Sequence, residues 1–78
     1  MLVPLYGFLA GDCLGIVVLA HDNQTVRDVA ACLEQAAAVR VAPPARSRVI
    51  VDGRQLDPEM TVAQAGLTAL MRIDVVPE

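Results

Sequence analysis

Few residues in this chain could carry chemistry, and they are scattered. There is one histidine, His21, two cysteines, Cys13 and Cys32, and no lysine. Without a lysine amine, Schiff-base chemistry is excluded. A hydrolase needs a nucleophile, a base oriented by an acid, and oxyanion donors. Ser47 and His21 are the nearest approach to such a pair, and nothing in the sequence positions a third group. One histidine and no C-x-x-C leave too few soft ligands for zinc. Asp12, Asp22 and Asp74 lack calcium-loop spacing. Asp52 precedes Gly53 and Asp57 precedes Pro58, so turns explain both. Gly11, Gly53 and Gly66 sit where turns want a positive φ, not in a phosphate-binding loop. The expectation is no catalytic residue, no cofactor-binding residue and no metal ligand. His21 reads as a solvated loop residue, and Cys13 and Cys32 as buried free thiols.

The elements explain the composition better than any active site does. The organising stretch is Thr25 to Ala38, TVRDVAACLEQAAA. Val26, Val29, Leu33 and Ala36/Ala37 recur at spacings of three and four and share one helical face. Thr25 stands at the N-cap, with Asp28 three residues on as a short-armed capping box. A helix with one apolar face must cover something. Everything around it reads as strand. Residues 2–9, LVPLYGFL, are extended, with Pro4 marking an edge or bulge. Ala10-Gly11-Asp12 turns into a second strand, CLGIVVLA, at 13–20. After the helix, Pro43 and Pro44 impose an extended connection. Ser47–Val51 and Arg54–Leu56 form a hairpin about Asp52-Gly53, with the preference of a type I′ turn. Thr61 to Gly66 makes one helical turn, capped by Thr61 and Gln64 and ended by Gly66. Leu70–Val76 is the final strand.

Seventy-eight residues make a single domain, 1–78, with one small core. Hydrophobic residues make up 55% of it, yet no apolar run reaches membrane-helix length. Residues 1–10 lack a basic start, so the chain is expected to be cytoplasmic and away from membranes. A net charge of −3 offers no basic patch for phosphates, so nucleic acid is not an expected partner.

The order β-β-α-β-β-β, with a short helical turn before the last strand, resembles the ubiquitin-like β-grasp fold. That implies an α+β domain with a mixed sheet of four to five strands on one helix. The hairpin Val49-Ile50-Val51-Asp52-Gly53-Arg54-Gln55-Leu56 and the Thr25-Val26 helix start are similar to the ubiquitin segments. The ending Val75-Val76-Pro77-Glu78 differs from the Gly-Gly tail of ubiquitin and the sulfur carriers, so conjugation is not expected.

A closer resemblance is to the toluene-4-monooxygenase system protein B family, the small subunits of bacterial multicomponent monooxygenase hydroxylases. Four pieces carry it. They are Pro4, Phe8 and Asp12 leading into Leu14 and Val17-Val18-Leu19; Val29-Ala30; Arg40-Val41-Ala42-Pro43; and Met60-Thr61-Val62-Ala63 with Gly66-Leu67 and Ile73-Asp74-Val75-Val76. Around Glu34-Gln35-Ala36-Ala37-Ala38 the chain is plainer than that family. The resemblance implies a non-catalytic subunit that docks on large hydroxylase subunits, one of which holds a di-iron centre. Such a centre uses Glu-x-x-His pairs on facing helices. Here Glu34 and Glu59 are the only glutamates besides Glu78, and His21 is not spaced to either. The alternative is a free ubiquitin-like interaction module of an unrelated complex.

The expected core is Leu14, Ile16, Val18, Val26, Val29, Leu33, Val49, Val51, Leu56, Leu67, Ile73 and Val75. The far face of the sheet should then be polar, and it is not. Val17, Ile50 and Val76 point outward, rimmed by Arg48, Arg72 and Asp74. These six residues form the expected protein interface, with self-association expected when the chain is isolated.

Overall fold

The computed structural model of the chain describes residues 1–42 and 44–78, so the expected extended connection lies outside the described residues at Pro43. Six elements follow in order: β1 (Leu2–Leu9), β2 (Ile16–His21), α1 (Val26–Ala37), β3 (Ser47–Val51), β4 (Arg54–Gln55) and β5 (Arg72–Pro77). The strands form one mixed sheet in the order β2-β1-β5-β3-β4. β1 and β5 run parallel, and the other neighbours are antiparallel.

The helix forms as its sequence directs. Thr25 Oγ1 accepts from the Asp28 N–H, and Asp28 Oδ2 accepts from the Thr25 N–H. The next unpaired donors of the first turn go to the loop beside it. Val26 N–H meets the Met60 carbonyl at 2.8 Å and Arg27 N–H meets that of Pro58 at 3.0 Å. The helix start is therefore satisfied without water. Val26, Val29, Ala30, Leu33 and Ala37 face the sheet and are buried, while Ala36 on the flank is exposed.

On the sheet, β1 alternates cleanly. Val3, Leu5 and Leu9 face the helix, and Leu2, Pro4, Tyr6 and Phe8 face away. Gly7 also faces inward, directly beneath the helix. A Cβ there would lie 2.9 Å from both Cδ atoms of Leu33, a side chain with no exposed surface. Glycine at 7 is thus the hole that Leu33 fills. Val18, Ala20, Val49, Val51, Leu56, Val62, Leu67, Ile73 and Val75 complete the core.

Several expectations need correction. Leu14 is not core but 53% exposed, and Ile16 is only partly buried. The strand begins at Ile16 because Asp12 Oδ1 accepts the Leu14 N–H, a local bond that holds this stretch out of the ladder. Cys13 therefore precedes the strand and is exposed, and Cys32 lies on the outer flank of α1 and is exposed too. His21 closes β2 rather than lying in the loop. The last strand starts at Arg72, not Leu70. Leu70 adopts φ 64°, a left-handed conformation that breaks the extended run, and its N–H goes to the Pro4 carbonyl.

β1 is an interior strand and not the edge expected from Pro4, which is tolerated there for a specific reason. Asp22 N–H donates to the Met1 carbonyl, so odd residues of β1 face β2 and even ones face β5. The ladder with β5 begins only at Tyr6, so the missing N–H of Pro4 falls where no strand pairs. The hairpin expectation holds. Asp52 and Gly53 have φ of 51° and 77°, the two positive values a type I′ turn requires. The 61–66 turn is also as expected, with Gln64 N–H on Thr61 Oγ1, Thr61 N–H on Gln64 Oε1, and Gly66 at φ 72°.

Candidate docking face of the sheet

The outer face of the sheet is built from the side chains that each strand's alternation leaves over. Its rows follow from the register. Leu19 lies opposite Pro4; Val17 lies opposite Tyr6, which lies opposite Arg72; Phe8 lies opposite Asp74, which lies opposite Ile50; and Val76 lies opposite Arg48. All six residues singled out in the sequence share this face. They do not form one apolar patch, because β1 stands between β2 and β5. Tyr6 separates Val17 from Arg72, and Asp74 separates Phe8 from Ile50.

The face divides into two parts. On the β2–β1 side the surface is apolar, with Leu2, Tyr6, Val17 and Leu19 between 41% and 63% exposed. Tyr6 and Phe8 pack with ring centroids 5.2 Å apart. Gly15 makes room for them, since a Cβ there would lie 1.9 Å from Tyr6 Cε1 and 2.8 Å from Phe8 Cζ. On the β5–β3 side lie the charges. The Arg72 guanidinium sits 4.2 Å over the Phe8 ring and meets Asp74 Oδ1 at 3.1 Å. It joins the two parts and is held from both directions. Sequence reasoning turned Leu19 outward but left it out of the patch, and missed Tyr6 and Phe8 as members. The alternation Leu2, Pro4, Tyr6, Phe8 against Val3, Leu5, Leu9 was the signal that contained them.

A second constellation braces the fold beside this face. Asp12, whose side chain is 2% exposed, accepts from two nitrogens of Arg40, from Nε at 3.2 Å to Oδ1 and 3.1 Å to Oδ2, and from Nη2 at 2.7 Å to Oδ2. The Arg40 hydrogen bonds, with that from the Leu14 N–H, hold the Asp12 carboxyl below the usual aspartate range, and Asp12 raises Arg40. The pair ties the β1–β2 turn to the segment after α1.

Some of the other polar groups serve structure. Asp57 Oδ1 accepts the Glu59 N–H at 2.9 Å, and Glu59 pairs with Arg27. Ser47 on β3 and His21 on β2 are separated by two intervening strands, about 14 Å at ordinary strand spacing, so they cannot act together. Among the described residues, no three His, Cys, Asp or Glu side chains gather in a way that could hold a metal ion. No helix among them is long and apolar enough to cross a membrane.

Residues 2–76 match the family described as Toluene-4-monooxygenase system protein B (TmoB). No curated protein matches the sequence. Among solved structures, the fold is similar to a chain of "Toluene 4 monooxygenase HD Complex with Inhibitor 4-Bromobenzoate", at 26% identity and TM-score 0.89, with both chains covered over 100% of their lengths. It is also similar to a ubiquitin from Caldiarchaeum subterraneum, at 19% identity and TM-score 0.78, covering 100% of this chain and 95% of that one. A de novo design based on ubiquitin matches at 19% identity and TM-score 0.79, over 95% of this chain and 85% of that one. The last two establish the ubiquitin-like fold.

Proposed function

Because the chain belongs to the toluene-4-monooxygenase system protein B family, we propose that it is the non-catalytic small subunit of a toluene-type monooxygenase hydroxylase and acts by docking on the large subunits. Its 78 residues work as one domain in the cytoplasm, with the di-iron centre and the oxygen chemistry carried by the partner. The observation that supports docking best is the outer face of the sheet. A sheet covered on one side by a helix ordinarily turns polar residues to water on the other. Here that side presents Leu2, Tyr6, Val17 and Leu19 beside a fixed Arg72–Asp74 pair. Exposed apolar and aromatic side chains bordered by charged groups are the make-up of a protein interface. We assign the contact to Val17, Arg48, Ile50, Arg72, Asp74 and Val76, extended by Tyr6 and Phe8.

The test is co-expression with the large subunits of a monooxygenase hydroxylase. The wild-type chain should co-purify with them in fixed proportion. Tyr6→Glu should fold as the wild type does and be lost from the complex. A wild-type chain that never co-purifies would refute the assignment.

A further inference from the structure

The two edges of the sheet are treated differently. β4 ends one side with only two residues, Arg54 and Gln55, both exposed. Shortness and charge are how proteins blunt a free edge. β2 ends the other side with six residues, IVVLAH, and the run from Cys13 to Ala20 contains no charged residue and no proline. Neither shortness, charge nor proline protects it.

The register shows which backbone groups this edge offers. Val18 and Ala20 lie opposite Leu5 and Val3, whose backbone faces β2, so these residues spend their N–H and C=O groups on β1. Val17, Leu19 and His21 therefore turn theirs outward. The His21 N–H is taken by Gln24 Oε1 at 2.8 Å and its carbonyl by the Gln24 N–H at 3.0 Å. Val17 and Leu19 remain, with no hydrogen-bond partner on that side among the described residues. They present two donors and two acceptors about 6.7 Å apart, the repeat of an extended chain. The side chains of Val17 and Leu19, 53% and 63% exposed, flank these groups on the outer face.

Resting on the small-subunit reading, we infer that the β2 edge receives an extended, uncharged segment of a large hydroxylase subunit, which adds to the sheet as a sixth strand beside Val17 and Leu19. The spacing of the free groups calls for main chain rather than a side chain. The absence of charge along residues 13–20 calls for an uncharged segment, because a charged side chain buried there would find no partner. The outer-face contact and the added strand are continuous through the same two residues.

Amide hydrogen exchange on the isolated chain and on the co-expressed complex decides it. The Val17 and Leu19 amides should exchange fast in the isolated chain and at least about tenfold more slowly in the complex. Leu19→Pro removes an N–H that meets only solvent in the free chain, so circular dichroism and melting should be kept while affinity for the large subunits falls about tenfold. Leu19→Ala loses the same outer-face side chain but keeps the N–H, so its affinity should fall clearly less than that of Leu19→Pro. If the complex forms but both amides exchange as in the free chain, or Leu19→Pro assembles like wild type, edge pairing is wrong and docking through the outer face stands. Concentration-dependent protection of both amides in the isolated chain would assign the edge to a second copy and overturn the inference. A wild-type chain that binds no large subunit counts against the small-subunit reading itself.

Discussion

Gly7 and Leu33 allow the helix-on-sheet contact to be measured as a coupling. Leu33 is fully buried, and a Cβ placed on Gly7 would stand 2.9 Å from both of its Cδ atoms. Leu33→Ala removes those carbons and leaves a cavity under the middle of the helix, at a cost of about 2 to 5 kcal/mol. Gly7→Ala in the wild-type background forces a methyl group against a side chain enclosed on all sides, at a cost of about 1 to 3 kcal/mol. In the Leu33→Ala background the obstacle is gone. Gly7 has no positive φ, so the added methyl should there be neutral or stabilising by about 0.4 to 1 kcal/mol through the unfolded state. The two substitutions should couple by at least about 1 kcal/mol, with the double variant more stable than Leu33→Ala plus the separate Gly7 penalty. Urea denaturation of the four proteins, with the slope checked for constancy, gives the cycle. Additivity within about 0.5 kcal/mol would mean that Leu33 moves aside freely and that the contact is not close-packed.

The other predictions test the remaining features. The depressed Asp12 carboxyl contributes stability that is fully present above the ordinary aspartate pKa and is lost as pH falls through the folded value. Arg40→Gln should therefore be destabilising at neutral pH, with the difference from wild type closing below about pH 4 in denaturation curves. Ile50→Lys should leave melting within about 1 kcal/mol of wild type and weaken assembly with the large subunits; Ile50→Asp is the poorer probe because Asp74 lies directly across from it. A variant at Ile50 that unfolds the chain would show that the side chain belongs to the core. Gly53→Ala should cost about 1 kcal/mol, read from the denaturation midpoint, because φ there is 77°. Both Cys13 and Cys32 should react with a thiol reagent in the folded protein, and a single reactive thiol would contradict their exposure.

The fold was legible wherever a local signal has one physical meaning. The Thr25–Asp28 box, the 3–4 spacing from Val26 to Leu33, and Asp52-Gly53 each specify their element alone, and each is where the sequence puts it. Boundaries failed where a neighbour outside the window decides. Leu14 reads as strand by type, but the Asp12 carboxylate takes its N–H and delays β2. Leu70 reads as strand until the Pro4 carbonyl, distant in sequence, claims its N–H. The bond between Asp12 and Arg40 joins residues 28 apart, and no periodicity predicts such a pair. The candidate face was half legible. Outward Val17, Ile50 and Val76 follow from alternation, but the separation of Val17 from the other two follows from β1 lying between β2 and β5, which the two-residue repeat cannot reveal.

The parallel pairing of β1 with β5 has a kinetic consequence. The centre of the sheet is closed by the first strand and the last, so its decisive contacts are among the most distant in the chain. The β1–β2 hairpin and the β3–β4 hairpin can each form locally as the chain emerges, but they have no common strand until Arg72–Pro77 arrives between them. Closing so long a loop before its contacts form slows folding relative to a local topology. During synthesis the apolar run of residues 13–20 and the outer face of β1 wait, half paired, for the last strand to be made. A chain interrupted before residue 72 would hold two hairpins and a helix with no sheet to join them.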